Sequence, residues 1–188
     1  MDHSKTGVVA MVAACVIWGL SPIYYKLLTH VPPLELLAHR TLWSLVIFAG
    51  LLGVQGRLKQ MGGALGSLRV TAITALAALM ISTNWFLFIY SVQIDRVTET
   101  SLGYYMFPLV AVMLGVLAYK ERLARLQWTA VALATLAVIV LTAGQGAAPW
   151  ISLVLAVAFG LYGLLKKRLA VGPVGSVTAE VTVLAPIA

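Results

Sequence analysis

The stretch from Leu126 to Leu165, LQWTAVALATLAVIVLTAGQGAAPWISLVLAVAFGLYGLL, carries no Asp, Glu, Lys or Arg. A hydrocarbon core about 30 Å thick is crossed by roughly 20 apolar residues in a helix, so this run holds two crossings. Gly144-Gln145-Gly146-Ala147-Ala148-Pro149 lies near its middle, and Gly and Pro grouped in this way mark a turn. The same reading extends outward. Gly7–Tyr25, Val70–Ile94 and Thr100–Tyr119 are free of charge, and Leu34–Val54 is apolar apart from Glu35, His39 and Arg40 near its start. Beyond Lys166-Lys167-Arg168 the chain becomes apolar again and ends on Leu184-Ala185-Pro186-Ile187-Ala188.

The expected fold is an all-α membrane protein with six complete transmembrane helices and part of a seventh. The six lie near 7–28, 34–54, 70–92, 99–119, 126–143 and 149–165. Backbone groups in lipid must bond within the segment or within a closed barrel, and runs this continuously apolar lack the alternation of barrel strands. Composition agrees. Of 188 residues 61% are hydrophobic and only 10% charged, with mean hydropathy +0.98, whereas soluble domains carry about 25% charged residues. A typical soluble enzyme and a disordered chain are both excluded.

The formal net charge of +7 is explained by topology. Lys5, then Arg57, Lys59 and Arg69, then Lys120, Arg122 and Arg125, then Lys166, Lys167 and Arg168 all fall on the side of the N-terminus. Loops rich in Lys and Arg face the cytoplasm, which places the N-terminus there and removes the case for a nucleic-acid partner. Val12-Ala13-Ala14-Cys15 loosely resembles a lipoprotein cleavage site. The apolar run before Cys15 is short for a signal and continues past it, so Cys15 reads as a small membrane residue. A single cysteine allows no intrachain disulfide.

A shift of 141 positions aligns the sixth helix with the first. Trp18-Gly19-Leu20 then meets Phe159-Gly160-Leu161, Lys26 meets Lys167, Pro32 meets Pro173, and His39 meets Glu180. A repeat of five helices is odd in number, so its second copy enters from the opposite side, as in inverted-repeat transporters. The first repeat is read as 7–143 and an unfinished second one as 149–188, which predicts that these 188 residues alone do not complete a transport cycle.

Several segments together resemble a known family. They are Trp18-Gly19-Leu20-Ser21-Pro22-Ile23-Tyr24-Tyr25-Lys26, Pro32-Pro33-Leu34-Glu35, His39-Arg40-Thr41-Leu42-Trp43-Ser44, Asn84-Trp85-Phe86-Leu87-Phe88-Ile89-Tyr90 and Glu99-Thr100-Ser101-Leu102-Gly103-Tyr104-Tyr105. Pro108-Leu109, Glu121-Arg122 and Gln127-Trp128 follow. The chain is similar over essentially its whole length to the EamA family of the drug/metabolite transporter superfamily. The resemblance implies ten helices in two inverted five-helix repeats, in the bacterial cytoplasmic membrane.

Ionisable groups within spans are costly and mark cavities or partners. Glu35 and His39 share a helix face, and Lys26, Arg40 and Glu99 lie near the same outer end, so one cluster of all five is expected there. His39 is the proton-sensitive candidate, since free histidine titrates near ~6.5, and Glu180 is its repeat partner. Structural readings stand beside these. Lys26 and Arg40 snorkel, and Glu35 and Glu99 suit helix N-termini. His3 and His30 lie outside the spans. Trp128, Tyr119, Trp150 and Tyr90 fit an interfacial belt, whereas Trp18, Trp43 and Trp85 lie deeper. Asn84 either glues helices together or meets substrate; Tyr104 and Tyr105 either pack or stack on a solute. Pro22 and Pro108 free the carbonyls of Trp18 and Tyr104.

The candidate substrate-binding residues are therefore Trp18, His39, Arg40, Asn84, Glu99, Tyr104, Tyr105 and Glu180, with no catalytic residue, metal or cofactor. The expected activity is secondary transport of small metabolites or amphipathic drugs, outward, by alternating access. No G-x-x-x-x-G-K-[ST] loop for ATP is present. The alternatives are a membrane enzyme using His39 with a carboxylate, for which no H-E-x-x-H or G-x-S-x-G motif exists, and a membrane scaffold subunit. The partners expected are the bilayer and a small-molecule solute, with a homodimer left open.

Overall fold

The computed structural model describes residues 3–57, 66–144, 150–169 and 172–187. Among the described residues seven helices follow one another: α1 (His3–Leu27), α2 (Pro33–Val54), α3 (Leu68–Gln93), α4 (Val97–Tyr119), α5 (Arg125–Ala143), α6 (Trp150–Lys166) and α7 (Pro173–Leu184). There is no strand among the described residues. Helices α1 to α5 are long and apolar enough to cross a membrane; α6 has 17 residues and α7 has 12. The expected spans are met within a few residues. Gln145–Pro149 of the expected turn, and Lys59, lie outside the described residues.

Local chemistry sets the helix ends. Pro33 opens α2 at a position where a missing N–H costs nothing, and Glu35 sits in its first turn. The Ser67 hydroxyl accepts from the Val70 N–H at 3.3 Å and caps α3. Asp95, at φ 63°, takes the left-handed conformation that turns the chain from α3 into α4.

The centre of the molecule is α6, laid into the groove between α3 and α4. The approach is close because glycines sit at the crossing. A Cβ on Gly103 of α4 would stand 3.0 Å from both the Ser152 carbonyl oxygen and Leu155 Cβ. One on Gly160 of α6 would stand 2.9 Å from Val110 Cγ1. Apolar helices in lipid gain by packing rather than by expelling water, so small residues collect where backbones cross. Helix α7 rests on α2 and α3, α5 touches α4, and α1 packs its backbone mainly against α3. Neither the membrane-length stretch of α1 nor that of α5 has a buried residue outside its ends.

Candidate functional site

Between α1, α3, α4 and α6 lies a cavity of about 330 Å³. Its walls are Trp18, Gly19 and Pro22 of α1, Phe88 of α3, Val97, Thr100, Ser101 and Tyr104 of α4, and Phe159 of α6. Trp18 and Phe159 are the pair that the 141-position shift brought together. Rings surround the space edge to face: Phe88 and Tyr104 at 6.1 Å, Tyr104 and Phe159 at 6.2 Å between centroids. Such walls offer apolar area with specific geometry, and the polar side-chain groups among them are the Trp18 indole N–H and the hydroxyls of Thr100, Ser101 and Tyr104.

Pro22 is placed here for a local reason. It cannot bond the Trp18 carbonyl, and the Ser21 hydroxyl donates to that carbonyl at 2.7 Å instead. The acceptor expected to be open at Trp18 is therefore taken by a neighbour in the same helix.

Asn84 is 2% exposed and works behind the wall. Its Nδ2 donates to the Leu155 carbonyl at 3.2 Å, and its Oδ1 accepts from the Tyr104 hydroxyl at 3.2 Å. One carboxamide thus joins α3, α4 and α6 and fixes the tilt of the Tyr104 ring. This is the glue reading of Asn84, combined with a direct hold on a cavity residue.

His39 and Arg40 line a second cavity, about 320 Å³, between α1 and α2 with Tyr24, Tyr25 and Trp43. Arg40 Nη1 donates to the Tyr25 hydroxyl at 3.2 Å, and its guanidinium lies 4.1 Å from the centre of the Trp85 ring. This cation–π seat holds a charge at depth without a carboxylate partner. His39 is exposed within that cavity. Glu35 faces elsewhere, into a cavity of about 460 Å³ with Thr41, Ser82 and Leu184.

The expected five-residue outer cluster does not form. Lys26 pairs with Asp95, Arg96 pairs with Glu99 three residues on, and Arg40 takes Tyr25 and Trp85. Glu99 takes a counter-charge three residues away in its own helix start, whereas Lys26 reaches Asp95 in the turn between α3 and α4, 69 positions on. Glu99 is 7% exposed; its Oε2 is buried with no hydrogen-bond partner, and its backbone carbonyl accepts from Ser152 Oγ at 2.6 Å. Tyr105 is 73% exposed and lines none of these cavities.

Glu180 lies within α7, one turn before Leu184, and is 2% exposed. Its Oε1 accepts from Lys166 Nζ at 2.7 Å and from Ser176 Oγ at 3.1 Å, and its Oε2 accepts from the Tyr162 hydroxyl at 3.1 Å. Lys166 also donates to Ser176. Sequence reading missed Lys166 and Tyr162, because Lys166 opens a basic loop and looks like topology charge. The signal available was spacing: Tyr162 and Lys166 are four apart on α6 and so share a face. Among the described residues no group of three His, Cys, Asp or Glu could hold a metal ion.

Two of the basic loops, after α4 and after α6, meet in the folded chain. Lys167 Nζ lies 3.9 Å from Glu121 and 5.2 Å from the Tyr119 ring centre, and the Tyr119 hydroxyl donates to the Leu164 carbonyl at 3.5 Å.

Comparison with known proteins gives the family. Residues 5–143 match the model of the EamA-like transporter family. Protein RarD of Streptomyces exfoliatus is 45% identical over 97% of this chain and 58% of its own length. The uncharacterized transporter YojE of Bacillus subtilis is 41% identical over 100% of this chain and 65% of its own. The Pseudomonas aeruginosa protein named chloramphenicol-sensitive protein RarD is 32% identical, with 64% of its length covered. The chain thus spans about three fifths of the length of these relatives. No solved structure matches. The match over most of the chain, together with five helices long and apolar enough to cross a membrane, makes this a multi-pass membrane protein that belongs to the EamA-like transporter family.

Proposed function

We propose that this chain forms the substrate-binding part of a secondary transporter that exports small metabolites or amphipathic drugs by alternating access. The observation that carries the reading is the 330 Å³ cavity at membrane depth, walled by Trp18, Phe88, Tyr104 and Phe159. Binding sites of this size are mostly apolar with a few placed polar groups. Its first-helix wall and its sixth-helix wall come from repeat-equivalent positions, which is where inverted-repeat transporters place their substrate. On this reading 7–143 is one repeat, 149–188 begins the other, and the N-terminus and basic loops face the cytoplasm of a bacterial inner membrane.

In that mechanism Trp18 and Tyr104 touch the solute through their rings, and Asn84 holds Tyr104 in place. Arg40 and His39 line the outer approach, Glu99 sits buried beside it, and Glu180 lies at the inner end. Flux of a metabolite and antibiotic panel into inverted membrane vesicles, measured on a protein of the relatives' full length that carries this chain, tests the proposal. Saturable flux that falls at least tenfold in Trp18→Ala is the expected result. Flux absent across the panel, or unchanged in Trp18→Ala and Tyr104→Ala, refutes it.

A further inference from the structure

Two pairs of consecutive helices stand apart in this fold. No extended backbone packing joins α1 to α2 or α6 to α7 among the described residues. Each pair is instead bridged by side chains near one end, and the bridges are at opposite ends. Between α1 and α2 the Arg40 guanidinium donates to the Tyr25 hydroxyl. Between α6 and α7 the Lys166 ammonium and the Tyr162 hydroxyl both donate to Glu180. One member of each bridge is repeat-equivalent, since Lys166 stands 141 positions after Tyr25; Glu180 stands 141 after His39, the neighbour of Arg40 in sequence.

The bridges differ in chemistry. The outer one is a cation on a neutral hydroxyl, beside an exposed His39 and an open cavity. The inner one is an ion pair between a carboxylate 2% exposed and an ammonium whose side chain is 24% exposed, with every carboxylate oxygen occupied. Parting a buried pair strands a charge in a medium that solvates it poorly. Such a contact is therefore held closed until something compensates for that charge.

A file of rings connects the two bridges through the substrate cavity. It runs from Tyr25 to Phe88 at 5.8 Å, to Tyr104 at 6.1 Å, to Phe159 at 6.2 Å and to Tyr162 at 6.1 Å between centroids. Three of its members, Phe88, Tyr104 and Phe159, are cavity walls. Its last ring carries the hydroxyl that bonds Glu180. A solute that displaces Phe159 pushes on Tyr162 and so on the inner ion pair.

We infer that Lys166 and Glu180 form the cytoplasmic gate of the cavity, closed in this structure and loosened through Phe159 and Tyr162 when the cavity is filled. The inference rests on the transporter reading above and adds to it the residues that close the inner side.

The test is side-specific labelling, and it needs no known substrate. Cys15, exposed and unpaired, is changed to Ser, and Ser101 of the cavity wall is changed to Cys. A membrane-impermeant maleimide is applied to right-side-out and to inside-out vesicles. With Lys166 and Glu180 intact, labelling from the outer face is at least tenfold faster than from the inner face. Lys166→Met and Glu180→Gln each raise the inner rate about tenfold. The exchange of the two charges, Lys166→Glu with Glu180→Lys, restores protection. Should a single variant fail to reach the membrane, Tyr162→Phe, which removes one of the donors to Glu180, is read in its place with a smaller rise expected. Inner labelling that is fast with the pair intact, or that responds to none of these variants, overturns the gate and leaves the cavity reading standing. No labelling from either face in any variant overturns both, because a transport cavity must admit water from one side.

Discussion

Asn84→Leu is the perturbation that tests most directly how the cavity wall is held. The substitution keeps the side chain near its original volume and removes both of its bonds, to the Leu155 carbonyl and from the Tyr104 hydroxyl, each 3.2 Å long. Hydrogen bonds between membrane helices contribute about 0.6 kcal/mol on average and up to about 1.7, so loss of two costs about 1.2 kcal/mol. Tyr104→Phe removes one of them and costs about 0.6 kcal/mol by the same measure. In the double variant the shared bond is counted once, which leaves a coupling energy of about 0.6 kcal/mol between the sites, a factor of about three in the unfolding constant. Tyr105→Phe, at a position 73% exposed, serves as the control with no measurable change. Reversible unfolding in mixed micelles, followed by helical circular dichroism, reads all four. Full additivity of Asn84→Leu and Tyr104→Phe would refute the bond between them, and a Tyr105→Phe effect as large as that of Tyr104→Phe would refute the placement of the two rings. Flux adds a second readout: a freed Tyr104 ring enters the cavity, so Asn84→Leu lowers transport more than its modest cost in stability explains.

Gly103→Ala is expected to destabilise by about 1–3 kcal/mol before the helix-propensity gain, because its Cβ meets the backbone of Ser152, which cannot yield. Gly19→Ala, inside α1, meets nothing within 4 Å and is expected to stabilise by up to about 1 kcal/mol in the same unfolding assay. Arg40→Lys keeps the charge but loses the flat stacking on Trp85; a drop in vesicle flux of several-fold is expected, against no drop for Lys26→Met, whose exposed pair with Asp95 contributes at most about 1 kcal/mol. His39→Ala and Glu180→Gln are expected to reduce flux more than His30→Ala, and equal rates at matched expression would contradict the site assignment.

The spans were readable because lipid leaves the backbone so few options. Any long uncharged run must bond within itself, so Val70–Ile94 and Thr100–Tyr119 announce helices whatever surrounds them. The basic loops were readable for a similar reason, since charge is confined to the ends. Partner choice was not readable. In α4 apolar residues lie all round the helix, so no stripe tells which face is inward. Gly103 and Gly160 hinted at a close crossing, but only the folded chain shows that they meet α6 and α4 respectively.

Charges show the same division. The sequence reading grouped Lys26, Glu35, His39, Arg40 and Glu99 in one cluster, and the folded chain divides them among separate partners and cavities. It could not tell that Asp95 and Arg96 would satisfy Lys26 and Glu99 first, since competition among counter-charges depends on ångström distances across helices. Lys166 is the sharpest case. By sequence it belongs to a cytoplasmic loop; in the fold it turns inward onto a buried carboxylate fourteen residues later. Length and hydropathy alone determined that this chain crosses a membrane many times and which end of each span carries charge. Which helix lies in which groove, and which charge meets which, was decided by packing, because side-chain volumes and distances across the bundle are properties of the assembled chain.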